Sequence, residues 1–239
     1  MACLMLSLLG PFQARFDEQV ASGLQADSVR SLLAYLAIET DRDHARRNLA
    51  GLLWPELPDH AALSNLRYAL SDLRRAVGDT PVSPAKPILR VTRDTIRLDP
   101  DAGCRIDVRQ FEQLCDEARA LGEGEAACAA LEKAVALYRG PLLEGFSLRD
   151  SAAFEDWLFW TREQYQRKAL CALRRLVAMY EIAGRYEAAQ AAARRQVQLE
   201  PLDEEAHRQL IRTLALGGQR SAALRQVEIC RRTLAQELG

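Results

Sequence analysis

Residues Leu63–Val77 read LSNLRYALSDLRRAV, and the meaning of the surrounding chain depends on how this stretch folds. Leu66, Leu70, Leu73 and Val77 recur at helical spacing and form one apolar stripe. Ser64, Tyr68, Ser71 and Arg75 point the opposite way, with Asn65, Arg67 and Arg74 on the flanks. Neither Gly nor Pro interrupts the run before Gly78, which suits a left-handed C-terminal cap. The outer face therefore carries phenol, hydroxyl, amide and guanidinium groups on a rigid rod. Such groups bond phosphates and base edges in a DNA major groove. A solvated helix face has the same composition, so the neighbouring elements must decide.

Upstream, Leu4–Leu9 and Phe12–Phe16 flank Gly10-Pro11 as two short strands, with a weaker third near Val20. Asp27 or Ser28 is expected to cap a helix to about Ile38, with Val29, Leu32, Leu33, Leu36 and Ala37 inward. After the polar run Glu39–Asp43, a short helix spans about Arg46–Leu53, turning Leu49, Leu52 and Leu53 inward until Trp54-Pro55 ends it. The loop Glu56–His60 leads into the central helix. Downstream, a Pro-rich connector, Pro81–Pro87, precedes two strands, Ile88–Val91 and Thr95–Leu98, around the turn Thr92-Arg93-Asp94. Three helices followed by a basic hairpin predict a winged helix-turn-helix whose wing carries Arg90, Arg93 and Arg97. A hairpin that only closes the core is the plainer alternative. The candidate DNA-binding set is Asn65, Arg67, Tyr68, Ser71, Arg74, Arg75, Arg90, Arg93 and Arg97. Arg67, Arg75 and the wing arginines are assigned to phosphates; Asn65, Tyr68, Ser71 and Arg74 are assigned to base edges.

The whole chain of 239 residues has a formal net charge of −1, so global charge does not argue for nucleic acid. Its distribution is more informative: from Arg42 to Arg97 ten basic residues face six acidic ones. A local excess of this kind neutralises phosphates, although it is too modest for tight binding by a lone monomer. With 49% hydrophobic and 27% charged residues, the composition is that of a folded soluble protein. The six cysteines form no CxxC pair, and the three histidines are not spaced with them as a zinc site needs. Cys115, Cys128 and Cys171 read as buried small residues. No run approaches a membrane span, and a cytoplasmic location is expected. No phosphate-binding loop, dinucleotide motif, HExxH or nucleophile–base arrangement supports an enzyme, and no cofactor is implied. His44 and His60 fall in polar loops and read as solvated.

From Val108 the pattern turns almost wholly helical. Phe111, Leu114, Cys115, Ala118 and Leu121 form one stripe, and Ala127, Leu131, Val135 and Tyr138 a second, before Gly140-Pro141. Phe154, Trp157, Phe159 and Trp160 open a long helix reaching about Tyr180, and most of this aromatic cluster is expected to pack inward. A repeat of 34 residues then aligns Ala172 with Ala206, Leu176 with Leu210, Gly184 with Gly218, Ala188 with Ala222 and Ala189 with Ala223. Small residues allow paired helices to approach closely and each Gly marks their turn, as in tetratricopeptide-like hairpins. The expected architecture is mainly α with small β elements. Residues 1–100 form a winged helix-turn-helix domain, and residues 101–239 an all-α tetratricopeptide-like domain.

Several ordered blocks together resemble the SARP-type (DnrI- and EmbR-like) bacterial transcriptional regulators. They are RSLLAYLAIE (Arg30–Glu39), LAGLLWPE (Leu49–Glu56), SNLRYALSDLRRAVG (Ser64–Gly78), ILRVTRDTIRLDP (Ile88–Pro100) and YRGPLLEGF (Tyr138–Phe146). The resemblance implies an OmpR-like winged helix on repeated double-stranded DNA sites, joined to a bacterial transcriptional activator domain. It also implies RNA polymerase as a partner, and a second protomer on DNA or a further domain of a longer chain. Asn65, Arg67, Ser71, Arg74 and Arg75 match polar or basic family positions. Asp72 departs from a frequently basic one, and its carboxylate would repel phosphate while accepting from a cytosine amino group or orienting Arg75 or Tyr68. The alternative is a regulatory scaffold whose winged helix does not bind DNA. Continuity of the positive surface discriminates between the two.

Overall fold

The computed structural model describes residues 4–16, 19–20, 23–40, 42–79, 87–99 and 102–238. Nearly all of the Pro-rich connector, and Cys3, lie outside the described residues. The chain is mainly helical with small N-terminal β elements, and its contacts divide it into two units. One comprises residues 1–110 and 139–163, the other residues 111–138 and 164–239.

In the first unit β1 (Leu4–Ser7) and β2 (Gln13–Phe16) form the expected antiparallel pair, and β3 (Gln19–Val20) extends it. Helix α1 (Asp27–Ile38) buries the five predicted apolar side chains. Its cap differs from expectation. Ala26 occupies the N-cap position without a side-chain bond, and Asp27 sits in the first turn, paired with Arg30. The polar stretch after α1 hides a two-residue strand, β4 (His44–Ala45), too short for any periodicity to reveal. His44 is consequently buried rather than solvated: its ring nitrogen Nε2 lies 2.7 Å from the Glu39 carbonyl oxygen, and its ring meets Tyr35 edge-on. Burial, with Glu39 nearby, pushes the Tyr35 phenol above its usual range.

Helix α2 (Arg46–Leu53) has the expected bounds and buries Leu49 and Leu53, with Leu52 only half-buried. Helix α3 (Asp59–Ala76) starts four residues before the quoted stretch, which places the exposed His60 on its first turn and not in a loop. That turn carries no apolar periodicity, so the pattern could not reveal it. Leu66, Leu70, Leu73 and Val77 are all buried as predicted. Gly78 has φ +72°, a conformation that favours glycine, and a Cβ there would stand 3.0 Å from the Phe16 ring, which would have to give way. β5 (Leu89–Val91) and β6 (Thr95–Leu98) form the hairpin, and β4 adds itself to β6 to complete a three-stranded sheet. β7 (Cys104–Ile106) then pairs in parallel with β1.

Residues 139–163 also fold into this unit. Arg162 donates to the carbonyls of Leu142, Leu143 and Phe146 at 2.7–2.9 Å. Trp157 donates to Glu39 at 3.1 Å and its ring packs on Tyr35 and Phe154. The aromatic expectation holds for Phe154 and Trp157 but fails for Phe159 and Trp160, which are exposed and pack edge-on against each other.

The second unit is built from α4 (Asp107–Leu121), whose first turn belongs to the other unit, α5 (Glu125–Leu137), and the later part of α6 (Ala152–Ile182). α7 (Tyr186–Leu199), α8 (Glu204–Leu216) and α9 (Arg220–Leu238) complete it. The repeat falls where the sequence puts it: Gly184 and Gly218 turn the paired helices with φ +68° and +76°. Ala172, Ala189, Ala193, Ala206, Leu176 and Leu210 are buried. Two positions expected to face inward differ. Leu121 is exposed at the end of α4, and Cys171 is exposed on α6, whereas Cys115 is half-buried and Cys128 buried. Burial raises the Cys115 thiol to about 11. No described helix is long and apolar enough to cross a membrane.

Candidate nucleic-acid interface

The outer face of α3 follows from the burial of its leucines. With Leu66, Leu70 and Leu73 fixed inward, Arg67, Tyr68, Ser71, Arg74 and Arg75 are exposed and Asn65 is half-buried. Tyr68 is 71% exposed.

Two clefts border this face. The first, about 410 Å³, is lined by Arg67, Leu70, Ser71, Arg74 and Arg75 of α3 together with Arg46, Asp79 and Val91. The second, about 480 Å³, is lined by Arg46, Arg47, Leu63, Arg67, Arg93 and Asp94 among others. Arg46 and Arg67 line both, so six arginines of α2, α3 and the wing turn border two adjoining clefts, with Asp79 at the edge of the first, Asp94 at the rim of the second, and Arg47 paired with Asp59 at 3.5 Å. Arg46 ties these elements together: its backbone N–H donates to the Asp94 carbonyl at 2.9 Å, and its guanidinium to the Thr92 carbonyl at 3.3 Å. Asp79, at the edge of the first cleft, accepts from Ile88 and Leu89 N–H at 2.8 and 2.6 Å. This bond anchors the first strand of the wing to the end of α3.

The three wing arginines are not brought together. Arg93 reaches the cleft from the exposed turn. Arg90 and Arg97 are cross-strand partners, so alternation puts both on the sheet face opposite to Leu89, Ile96 and Leu98. There Arg90 donates from Nε and Nη2 to Asp99 at 3.0 and 2.7 Å, and Arg97 donates to the Thr40 carbonyl at 3.2 Å. Sequence reasoning counted Arg46 and Arg47 in the basic excess but assigned them no role. The signal that could have found them is their place at the first turn of α2, directly after the cryptic strand β4 that pairs with the wing. Among the described residues no group of three or more His, Cys, Asp or Glu is placed to hold a metal.

A helix bearing guanidiniums, braced by two shorter helices and a β-hairpin, defines the winged helix-turn-helix class. Here it is followed in sequence by helical hairpins of a 34-residue period. The model of the bacterial transcriptional activator domain matches residues 106–239, and the chain belongs to the SARP-type family of bacterial transcriptional regulators that carry it. Transcriptional regulator RedD of Streptomyces coelicolor is 28% identical over 244 residues, covering 99% of this chain and 66% of RedD. Transcriptional regulatory protein EmbR of Mycobacterium tuberculosis is 31% identical over 240 residues, covering 99% of this chain and 59% of EmbR. The solved structure of Mycobacterium tuberculosis EmbR in complex with a low affinity phosphopeptide superposes with a TM-score of 0.75 at 27% identity. It covers all of this chain, which in turn covers 62% of that one. The chain thus spans about three-fifths to two-thirds of the length of these relatives.

Proposed function

We propose that this chain is a sequence-specific DNA-binding regulator, an activator that recognises repeated promoter sites. Residues 1–100 act as the DNA-binding module and residues 101–239 as the activator module. Helix α3 enters the major groove, while Arg46, Arg47, Arg67, Arg74 and Arg93 hold phosphates on either side. The observation that carries this reading is that Arg46 and Arg67 each line both clefts, which brings arginines of α2, α3 and the wing turn to neighbouring positions beside the exposed face of α3. The tetratricopeptide-like hairpins supply the surface for RNA polymerase. A second protomer on the adjacent repeat, or a further domain of a longer chain, strengthens the modest affinity of one protomer. The scaffold reading draws on Arg90 and Arg97, which are bonded within the unit, and on Asp94 at the rim of the second cleft.

A gel-shift titration across salt concentrations tests the proposal. Arg46→Ala and Arg67→Ala should each weaken binding to every sequence and lower the salt slope by about one unit. Unchanged affinity and slope in the folded double variant would sink it and favour the scaffold.

A further inference from the structure

One carboxylate stands among the guanidiniums on the exposed face of α3. Asp72, with 52% of its side chain exposed, accepts from Arg75 Nη1 at 3.2 Å, three residues along the helix. Helical geometry separates the two edges of the face. Arg67 and Arg74 project from the edge that borders Arg46 and the wing, Asp72 projects from the other edge near Tyr68, and Arg75 lies between. Asp72 lines neither cleft.

An exposed pair three residues apart contributes little to stability, so the fold does not account for Asp72. Against the phosphates of a duplex its charge lowers affinity for every sequence equally. Its bond to Arg75 acts differently. One Nη1 donor is engaged and the carboxylate offsets part of the guanidinium charge, which weakens Arg75 as a phosphate anchor and biases the direction of its fork. Nε and Nη2 remain to bond other groups. A guanidinium held in this way suits the O6/N7 edge of guanine, and water exclusion in a groove strengthens the carboxylate's hold on it.

We infer that Asp72 sets the sequence selectivity of this surface by holding Arg75 off the phosphates and aiming it at a guanine. This rests on the DNA-binding reading above. It exchanges the roles that spacing alone gives two neighbours: Arg74 turns to phosphate and Arg75 to a base edge.

The test is a random-sequence DNA selection with the full chain, followed by titration of the selected duplex and of a scrambled one across salt. Wild type, Asp72→Ala, Asp72→Asn, Arg75→Ala and the double variant Asp72→Ala/Arg75→Ala are compared. Asp72→Ala and Asp72→Asn should bind the scrambled duplex more tightly, with a salt slope steeper by about one unit. Both should lose, on the order of tenfold, the preference for guanine at the position that Arg75→Ala also relaxes. The double variant should be no less selective than Arg75→Ala. A retained guanine preference in both Asp72 variants, or weaker binding of the scrambled duplex, overturns the inference while leaving DNA binding intact. Wild-type protein that selects no DNA overturns both readings together.

Discussion

In the N-terminal unit two buried carboxylates hold backbone that neither helix nor sheet satisfies, whereas the core of the helical unit is laid with alanines. Asp107 accepts from Leu8, Leu9 and Val108 N–H at 2.8–3.0 Å, and Asp79 accepts from Ile88 and Leu89. In the helical unit, Ala118, Ala134, Ala189, Ala193 and Ala206 are completely buried. The difference follows from what each unit contains. Short strands and irregular connections leave amides that must find acceptors, so a few polar residues become indispensable. Paired helices satisfy their own backbone, so close approach between them is the demanding requirement and side-chain volume becomes the sensitive variable.

The largest effect that would test this contrast is expected at Asp107. Asp107→Ala strands three backbone donors in a buried site and should cost about 3–5 kcal/mol in urea unfolding. A cost below about 1 kcal/mol would break the claim that carboxylates hold the N-terminal unit. In the helical unit Ala193→Leu should cost about 1–3 kcal/mol by overpacking, read in the same titration. If that variant is neutral, the helices have slack and volume is not the sensitive variable there.

A smaller effect separates the units by pH. Burial raises the Asp107 carboxyl above its ordinary 3.8, outweighing the bonds from Leu8 and Leu9, the Arg139 charge and the bond from Val108. A raised folded value means that the folded state binds the proton more readily than the unfolded chain does. The carboxyl's contribution is therefore fully present below pH 3.8 and declines as pH rises through the folded value. The stability advantage of wild type over Asp107→Ala should accordingly grow as pH falls from 7 toward 4. An advantage that shrinks on acidification contradicts the burial argument.

Legibility in the sequence followed the same division. Two helical hairpins with small residues at a fixed period wrote themselves plainly: the glycine turns and the paired alanines fall where the repeat puts them. The apolar stripe of α3 was equally clear, because four inward positions fix the opposite face. What the pattern could not carry was the cryptic strand His44–Ala45, since two residues have no period. That omission left His44 in solvent and Arg46 without a role, although pairing with the wing buries the one and aims the other into the cleft. Arg90 and Arg97 show the converse. Their charge is evident in sequence, but the two-residue alternation of a strand, and an Asp99 nine positions from Arg90, decide where that charge is spent.

The smallest expected effect is that of the exposed aromatic pair in α6, where the same helix carries aromatics of opposite character. Trp157 packs against Tyr35 and Phe154 and bonds Glu39, whereas Phe159 and Trp160 are 56% and 66% exposed. Trp157→Ala removes a packed indole and leaves its partners open, so it should cost about 2–4 kcal/mol. The double change Phe159→Ser/Trp160→Ser removes more aromatic surface in total, yet most of that surface already faces water in the folded chain. It should move stability by no more than about 0.5 kcal/mol. If the exposed pair proved as costly as Trp157, it would have to be covered in the folded protein under the conditions of the measurement. The expectation that most of this cluster packs inward would then regain its force for Phe159 and Trp160.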